Sequence, residues 1–575
     1  MSAPQHLPRK IPNDCKFQVS PGHYSGLICP NPKGWYQSVA GVVSTSDDKL
    51  VACFRLSDSH CALYTSIMVT TSHDGGRTWG EPKLLSHKNV WQDQAVWVAP
   101  QMSRLRNGRI LILADLGQRN AGQNWPMLSQ WQKPDRGMSN HLFWSDDNGE
   151  TWEGPRELDD VGGEPSYIIE LNDGSLLYTR TDSAETSALR RPPMPWANIY
   201  YKSSAVLSHD GGSTWNTSPL ADDPFHGDCE VGVVEYSPNN LLAVTRIGMG
   251  ASFCGQPSRW VRSHDGGKTW QPPELSPIYA HRPCIRQLAS GKLLVTYRNA
   301  PGTPGNRAFV FDANETLNYE PQTWIVEEQR CSLLDDQLLI ETEDGKQHAV
   351  SLIFYPAQDD LARVEITVTM KVSSADLNGC NISAGCWIRF DTDRICLADQ
   401  PEIGCDFDTT TWHDYRIIRS DGRLKLFIDE QLHLDAPVGE NWVRPVRIGN
   451  RVGGAGAIYE SQKNSIVDGY FRNQGKYSLR SIRVSVNNPD THSIDWSWKF
   501  ESRRYPDQFR RDRIIELDTS FFADTGYSSW DQRPNGDIAI LDYTNGGSLD
   551  SYSWHKNGGH NPFIRAYLTR ESDIT

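Results

Sequence analysis

Short runs of alternating apolar and polar residues, each broken by a polar turn, recur along the chain. One such unit, YQSVAGVVSTSDDKLVACFR, begins at Tyr36 and has the pattern of a strand, a turn and a second strand. The first five units begin about 60 residues apart, whereas 245 residues separate the fifth, from Arg282, and the sixth, from Tyr527. The pattern predicts six hairpins with an insertion before the last. The other units begin at Ala99, Glu164 and Cys229.

A second repeat, Ser-x-Asp-x-Gly-x-Thr-Trp, follows four of these hairpins. Its Asp can accept hydrogen bonds from the amides of its own turn, its Gly can take a positive φ, and its Trp can cover the sheet edge. A calcium loop fits poorly, because one carboxylate per turn provides too few ligands. The repeat therefore predicts structural turns, and a repeating unit of several strands predicts a propeller blade. The four copies begin at Ser72, Ser145, Ser208 and Ser263.

Residues 325–505 contain no copy of this repeat and differ in character from the rest of the chain. Strand patterns such as LARVEITVTMKVSS and WHDYRIIRSDGRLKLFIDEQLHLD predict a β-sandwich there. We therefore expect an all-β protein, a six-bladed β-propeller with an inserted β-sandwich of the jelly-roll type. Residues 1–324 would form blades one to five, 325–505 the sandwich and 506–575 the last blade. Whether the sandwich binds a glycan or is only structural stays open.

Composition limits the partners. A net charge of −14 argues against nucleic-acid binding, because polyphosphate would be repelled. No run of 18 apolar residues exists, so no membrane-spanning helix is expected. The N-terminal MSAPQHLPRKIPND lacks the apolar core of a signal peptide, which predicts a cytoplasmic protein or a secreted one without its leader. Twelve Cys show no zinc-like spacing, so neither a metal nor a cofactor is expected, and the oligomeric state stays unknown.

In a propeller the inner strands begin at one mouth of the central channel, where we expect the functional site. This ring combines acids, arginines and tyrosines. From the starts of the inner strands come Tyr36, Gln37, Pro100, Gln101, Glu164, Asp228, Glu230, His281, Arg282 and Tyr527. Second-strand ends and the loops after them add Asp58, His60, Arg180, Arg246 and Arg307.

The four turn repeats, together with GYSS at 526–529, resemble the sialidase superfamily of glycoside hydrolases. DCEVGVVEYSPNNLLAVTR from Asp228 resembles that family's fourth blade, and NAPGTPGNR, ending at Arg307, resembles a loop that carries one of its arginines. The resemblance covers about 36–320 and 505–575. The sandwich segment WHDYRIIRSDGRLKLFIDEQL resembles laminin-G or concanavalin-like domains.

The resemblance implies a role for each matching residue. Tyr527 takes the position of the nucleophile, with Asp228 or Glu230 as its partner acid. These two acids lie two residues apart and are expected on one strand face, and the alignment favours Asp228 as the base. Arg246 and Arg307 would clamp a substrate carboxylate, and Asp58 falls near the acid/base position. Gln37, Glu164, His60, His281 and Arg282 are the further candidates for substrate contacts.

The chemistry gives independent reasons for these residue types. A sialic acid carries a carboxylate on its anomeric carbon, which would repel a carboxylate nucleophile but not a neutral phenol. The planar fork of arginine suits that carboxylate. The family's first inner strand normally begins with an arginine, in a motif like Arg-Ile-Pro, where this chain has Tyr36-Gln37-Ser38-Val39. Arg282 or Arg55 are the candidates to replace it.

Other interpretations stay open at this point. They are Tyr527 as a core aromatic, Arg246 and Arg307 as partners of surface acids, and His60 and His281 as structural residues. A polysaccharide lyase acting on uronate-containing glycans would also need arginine beside a carboxylate, with His60, His281 or Tyr527 as its base. A catalytically inactive glycan-binding protein is the third possibility.

Overall fold

The computed structural model describes the chain in segments that cover most of the sequence. It is built almost entirely of strands, which confirms the prediction of an all-β protein. The helical elements among the described residues are a 3-10 turn at Phe500–Ser502 and a short α-helix at Glu571–Ile574. The described residues are 9–10, 16–19, 24, 27, 34–60, 62–118, 138–185, 187, 199–224, 226–248, 258–299, 305–315, 331–342, 351–354, 362–438, 446–450, 474–487, 493–502, 506, 513–518, 525–544 and 562–575.

Six small sheets contain four or five strands each, and each begins with an antiparallel hairpin. The first three sheets follow the chain strand by strand. The first contains Tyr36–Ser44, Leu50–Ser57, Tyr64–Ser72 and Lys83–Asn89. The second contains Ala95–Arg104, Ile110–Gln118, Met138–Ser145 and Glu153–Asp159. The third contains Ile169–Glu170, Leu176–Glu185, Ile199–Ser208 and Asn216–Ala221.

The fourth sheet also follows the chain strand by strand and contains Asp228–Ser237, Asn240–Ile247, Arg259–Ser263 and Glu274–Leu275.

The fifth and sixth sheets combine strands that are distant in sequence. The fifth contains His281–Gln287, Leu293–Asn299, Gly305–Phe311, Ile514–Glu516 and Arg9–Lys10. The sixth contains Gly526–Gln532, Asp537–Thr544, Phe563–Arg570 and Lys16–Gln18. The N-terminal segment therefore supplies the outer strands of both, which the sequence pattern did not predict.

Six hydrophobic clusters join the small sheets into a ring. Each cluster contains buried residues from two consecutive sheets, and the last joins the sixth sheet to the first. Both faces of every small sheet are covered in this way, which a lone sheet could not achieve. Members from the two sheets of each cluster are Val51 and Ile112, Leu113 and Tyr178, Leu177 and Ala243, Val244 and Val295, Leu294 and Ile540, and Leu541 and Ala52.

Two larger sheets lie between Cys331 and Lys499 and share one hydrophobic core. One contains Cys331–Leu333, Leu338–Thr342, Arg363–Ala375, His413–Ser420, Arg423–Ile428, Gln431–Pro437, Gly475–Asn487 and Ile494–Lys499. The other contains Ser351–Phe354, Asn381–Ser383, Trp387–Phe390, Arg394–Leu397, Gln400–Asp406 and Val446–Gly449.

The repeated turns have one hydrogen-bonding pattern. In the first copy, Ser72 Oγ accepts the amide of Gly76 at 2.8 Å, and Asp74 Oδ1 accepts the amide of Thr78 at 2.8 Å. The indole of Trp79 donates to the Gly76 carbonyl at 3.1 Å. The other three copies repeat the serine and aspartate bonds, and the indole bond recurs in the second and fourth copies. The Asp carboxylates are thus used by their own turns, and the described residues contain no group of three or more His, Cys, Asp or Glu that could hold a metal ion.

Candidate active site

Five non-glycine residues near the starts of the small sheets have a left-handed backbone. Their φ values lie between 45° and 51°. In four sheets the strand register shifts at these residues, which is the signature of a β-bulge. A bulge interrupts the alternation of side chains, and this conformation costs on the order of 1 kcal/mol for each non-glycine residue. The five residues are Val39, Glu164, Glu230, Arg282 and Tyr527.

Three charged side chains converge on the hydroxyl of Tyr527. The hydroxyl donates a hydrogen bond to Glu230 Oε1 at 2.6 Å, and it accepts one from Arg298 Nη2 at 2.8 Å and one from Arg246 Nη1 at 3.2 Å. Arg246 Nη1 also lies 2.7 Å from Glu230 Oε2. The guanidinium of Arg298 covers the phenol ring, 4.1 Å from its centroid. The result is a tyrosine held between one carboxylate and two cations.

The charges around this cluster set its protonation. Burial by itself would raise the pKa of Glu230, but nearby Arg246, Arg282 and Arg298 outweigh it and hold that pKa below its usual value. Burial is also the main reason why the pKa of Tyr527 lies well above its usual value, and the negative charge of Glu230 adds to this effect. Glu230 is therefore ionised and Tyr527 neutral at neutral pH. A carboxylate poised to accept the proton of a phenol is the chemistry of an assisted oxygen nucleophile.

Arg246 and Arg298 occupy equivalent positions in neighbouring sheets. Each lies one residue before the end of the second strand, opposite the residue that precedes the bulge, which is Cys229 for Arg246 and His281 for Arg298. Arg55 in the first sheet likewise lies opposite the residue that precedes the bulge, Ser38. Its Nε donates to Ser38 Oγ at 3.0 Å, and its Nη2 donates to the His60 carbonyl at 3.2 Å.

The structure separates the two acids that were expected to share a strand face, so that expectation is wrong. The bulge at Glu230 turns its carboxylate toward Tyr527. Asp228 instead forms a buried ion pair with Arg259, whose Nε donates to Asp228 Oδ1 at 3.0 Å. Thr245 Oγ1 donates to the same oxygen at 2.6 Å. Asp228 therefore lies in a polar network behind the inner strand, and Glu230 is the acid beside the tyrosine.

Arg307 lies outside the Tyr527 cluster. Its Nη1 donates to the carbonyls of Asn306, at 3.1 Å, and of Asp518, and its Nη2 lies 3.4 Å from Glu516 Oε2. These contacts connect two strands of the fifth sheet. Among the described residues, the second arginine that contacts Tyr527 is Arg298, which the sequence analysis missed.

Two other candidates at the inner-strand bulges lie close to the cluster. Glu164 has Glu230 and Arg246 among its charged neighbours. The guanidinium of Arg282 reaches from the fifth sheet toward the third and donates to the Pro165 carbonyl at 3.0 Å. Gln37 is buried at the junction of the first and sixth sheets, where its Oε1 accepts the amide of Ile564 at 3.3 Å.

The two candidate histidines have protein partners. Arg298 Nη2 lies 3.1 Å from His281 Nδ1. Because a guanidinium can only donate, Nδ1 accepts, and Nε2 is left to donate to the Tyr279 hydroxyl at 2.7 Å. His281 therefore orients Arg298 as a neutral ring. His60 Nδ1 lies 2.9 Å from the hydroxyl of Tyr36.

Asp58 lies in the loop after the second strand of the first sheet. Its Oδ1 accepts the amides of Leu63 at 3.0 Å and Tyr64 at 3.3 Å, and these bonds fix the loop. The carbonyl of Leu63 in turn accepts the amide of Val90 in the loop before the second sheet. The position of Asp58 is thus set by local turn bonds.

A signal for Arg298 was present in the sequence. LLAVTR ends at Arg246 and LLVTYR ends at Arg298, so both arginines close the second strand of a predicted hairpin. Comparing the hairpins by strand end, rather than by the loop that follows, would have selected Arg298 over Arg307.

Comparisons with known proteins agree with this architecture. Residues 104–308 match the family model of the BNR repeat-like domain. A sialidase from Clostridium perfringens is 25% identical over 229 residues, which are 37% of this chain and 54% of the relative. One from Paraclostridium sordellii is 25% identical over 248 residues, which are 41% and 57% of the two chains. The chain spans about half the length of the curated relatives it matches.

These matches support the sialidase and BNR-repeat superfamily for this chain. The resemblance read from the turn repeats is thereby confirmed at the level of the superfamily. Among solved structures, a mutant Trypanosoma rangeli sialidase displaying trans-sialidase activity matches with a TM-score of 0.39 and 12% identity, over 83% of this chain and 96% of that one. Among the described residues, no helix has the length and apolar character needed to cross a membrane.

Proposed function

We infer that the six small sheets are the blades of a six-bladed β-propeller. The six clusters that link consecutive sheets, with the last linking sheet six to sheet one, support this inference. The two larger sheets with their common core would be a β-sandwich inserted between blades five and six, within residues 325–505. The left-handed residues of the inner strands then face one mouth of the channel.

We propose that the protein is a retaining exo-glycosidase that acts on an anionic terminal sugar of the sialic acid type. The observation that carries the proposal is the Tyr527 hydroxyl, 2.6 Å from Glu230 and hydrogen-bonded to Arg246 and Arg298. A tyrosine that serves only in packing does not require three charged partners at its hydroxyl oxygen. The related sialidases from two clostridia add support for this reaction class.

In the proposed reaction, Tyr527 attacks the anomeric carbon while Glu230 takes the phenol proton. A bond forms between the tyrosine oxygen and the anomeric carbon, the glycosidic bond breaks, and an acid protonates the leaving oxygen. Water then attacks the same carbon and gives a proton to the acid that protonated the leaving oxygen, while the bond to Tyr527 breaks and Glu230 returns the phenol proton. The sugar is released with retained configuration. Because Tyr527 is neutral before attack, it does not repel the substrate carboxylate.

Arg246 and Arg298 would bind the substrate carboxylate. They donate to the Tyr527 oxygen from the fourth and the fifth sheet. Planar guanidinium groups match a carboxylate in geometry and charge. Arg55, at the equivalent position of the first sheet, is the proposed third cation in place of the missing first-strand arginine.

Asp58 is the proposed acid for the leaving oxygen. It lies on the loop after the second strand of the first sheet, and two backbone amides hold one of its oxygens. Its position after the hairpin and the family resemblance support this role.

A covalent trapping experiment tests the proposal. A difluorinated sialic acid, which slows breakdown of the glycosyl-enzyme, should add its mass to the peptide that contains Tyr527. A lyase would form no such adduct and would release a product that absorbs in the near ultraviolet. Absence of both the adduct and turnover on a broad panel of sialosides and uronate glycans, with glycan binding retained, would indicate a binding protein instead.

A further inference from the structure

Glu164 is a carboxylic acid with the same left-handed backbone, near the start of its sheet, as Glu230 and Tyr527. Its φ is 48°, and its amide donates to Asp115 Oδ2 at 2.9 Å. Asp115 is itself buried in the second sheet, where its other oxygen accepts the amide of Ala99 at 2.7 Å. The backbone of Glu164 is therefore fixed by a buried acid of the neighbouring sheet. The bond to Asp115 uses the backbone amide of Glu164 and not its carboxyl group.

One oxygen of the Glu164 carboxyl group is buried without a donor among the described residues, although the residue as a whole is half-buried. Its Oε2 is buried and has no hydrogen-bond partner within the part of the chain that the structure describes. The charged groups that face it are Glu230 and Arg246 of the fourth sheet, Arg282 of the fifth and Asp115 of the second. A buried oxygen without a donor favours the neutral acid, and a second carboxylate nearby favours it further.

The protonation of Glu164 follows from these surroundings. Burial is the largest influence and the charge of Glu230 the next, and together they raise the pKa of Glu164 to about 7 although Arg246 and Arg282 oppose them. Glu230 has a lowered pKa and stays ionised, so Glu164 is the member of the pair that holds the proton. Loss of that proton adds a negative charge beside the arginine that is proposed to bind the ligand.

We propose that Glu164 is a proton-controlled gate for anionic ligands in this site. As the neutral acid, it leaves the positive charge of Arg246 available to a ligand carboxylate. As the carboxylate, it competes for that charge and repels the ligand. This inference rests on the proposed function, because it assumes that the ligand carboxylate binds at Arg246 and Arg298.

The experiment measures the affinity of the full chain for the unsaturated analogue of N-acetylneuraminic acid by calorimetry across neutral pH. The carboxylate of this probe stays ionised throughout. For the wild type, we expect a constant Kd at acidic pH and a rise of up to about tenfold per pH unit above about pH 7, with uptake of one proton on binding. Glu164→Gln should show neither the rise nor the proton uptake.

Asp542→Asn is the matched control. Asp542 is fully buried and also has a pKa raised to about 7, mainly by burial, but its partners are Asn306, Tyr567 and Arg565. This variant should keep the pH dependence of the wild type. If Glu164→Gln and the wild type show the same pH dependence and the same proton uptake, the gate is refuted.

A measurement without ligand separates this inference from the proposed function. Infrared difference spectra of the free protein should show a protonated carboxyl band that titrates near pH 7, that is lost in Glu164→Gln and that remains in Asp542→Asn. A missing band refutes the gate, whether or not the probe binds. If the band is present and the probe binds at no pH, the anionic-sugar site fails and the gate fails with it. Thermal unfolding of both variants establishes that they are folded.

Discussion

The most informative single change is Tyr527→Phe, which removes one oxygen atom and keeps the ring. The ring packs against the cluster formed by the first and sixth sheets and lies edge-on to Tyr543, 6.2 Å away, so the packing survives. Arg246 keeps its ion pair with Glu230, and Arg298 keeps its contact with His281. The variant should therefore fold.

The expected loss in turnover is large, because no other group can form the covalent bond. Removing a nucleophile leaves only binding and electrostatic contributions, so we expect kcat to fall by at least about a thousandfold, which corresponds to about 4 kcal/mol in the activation barrier. The effect on stability is smaller. Hydrogen bonds to charged groups contribute about 1.5–3 kcal/mol each, but the two arginines and the carboxylate retain each other as partners.

Hydrolysis of a chromogenic sialoside measures the change in turnover, and thermal unfolding monitors the fold. Tyr567→Phe is the matched control, because it removes a hydroxyl from the same sheet that also donates to a buried carboxylate, Asp542, at 2.8 Å. It should retain turnover. If Tyr527→Phe keeps more than about a tenth of the wild-type kcat, or if the fluorinated sugar labels another residue, the reasoning about the nucleophile is wrong.

Three further predictions follow from the same contacts. Arg298→Ala should raise KM by about tenfold to a hundredfold, whereas Arg307→Lys should leave KM unchanged, as steady-state kinetics can test. Glu230→Gln should lower kcat by at least about a hundredfold, and because its pKa lies below the usual 4.5, the acid limb that it causes in the wild-type profile of kcat/KM should lie below pH 4.5. The folded protein holds a proton on Glu164 up to about pH 7, whereas the unfolded chain releases it near 4.5, so wild-type stability should fall as pH rises through that window. In denaturant titrations above pH 7, Glu164→Gln should be more stable by at most about 3 kcal/mol.

Features that depend on residues close together in the sequence could be predicted from the sequence. The bonds of Asp74 in its turn span four residues, so the composition of the turn predicts them. The hairpin that begins at Tyr36 pairs Ser44 with Leu50 across a short turn, as its alternating pattern indicates. Local geometry of this kind was enough to predict an all-β protein, and the superfamily came from the resemblance of the turn repeats to those of known proteins.

The sequence could not show which acid lies beside Tyr527. Period-two alternation places Asp228 and Glu230 on one face, but the register shift after Cys229 and the φ of 45° at Glu230 break that alternation. The segment DCEV has no residue pattern that predicts a bulge. The structure sends one acid to Arg259 and the other to Tyr527.

The chain by itself determined the strands, the turns and the kinds of charged residue at the ends of the inner strands, because these depend on period and on turn chemistry. Only the tertiary structure decided which of those residues meet. Glu230 and Tyr527 are 297 residues apart in sequence, yet their oxygens lie 2.6 Å apart, and Arg298 replaces Arg307 at the phenol. Such contacts are set by how the six sheets pack around the ring and by the bulges that aim their first residues, and neither leaves a periodic signal in the sequence.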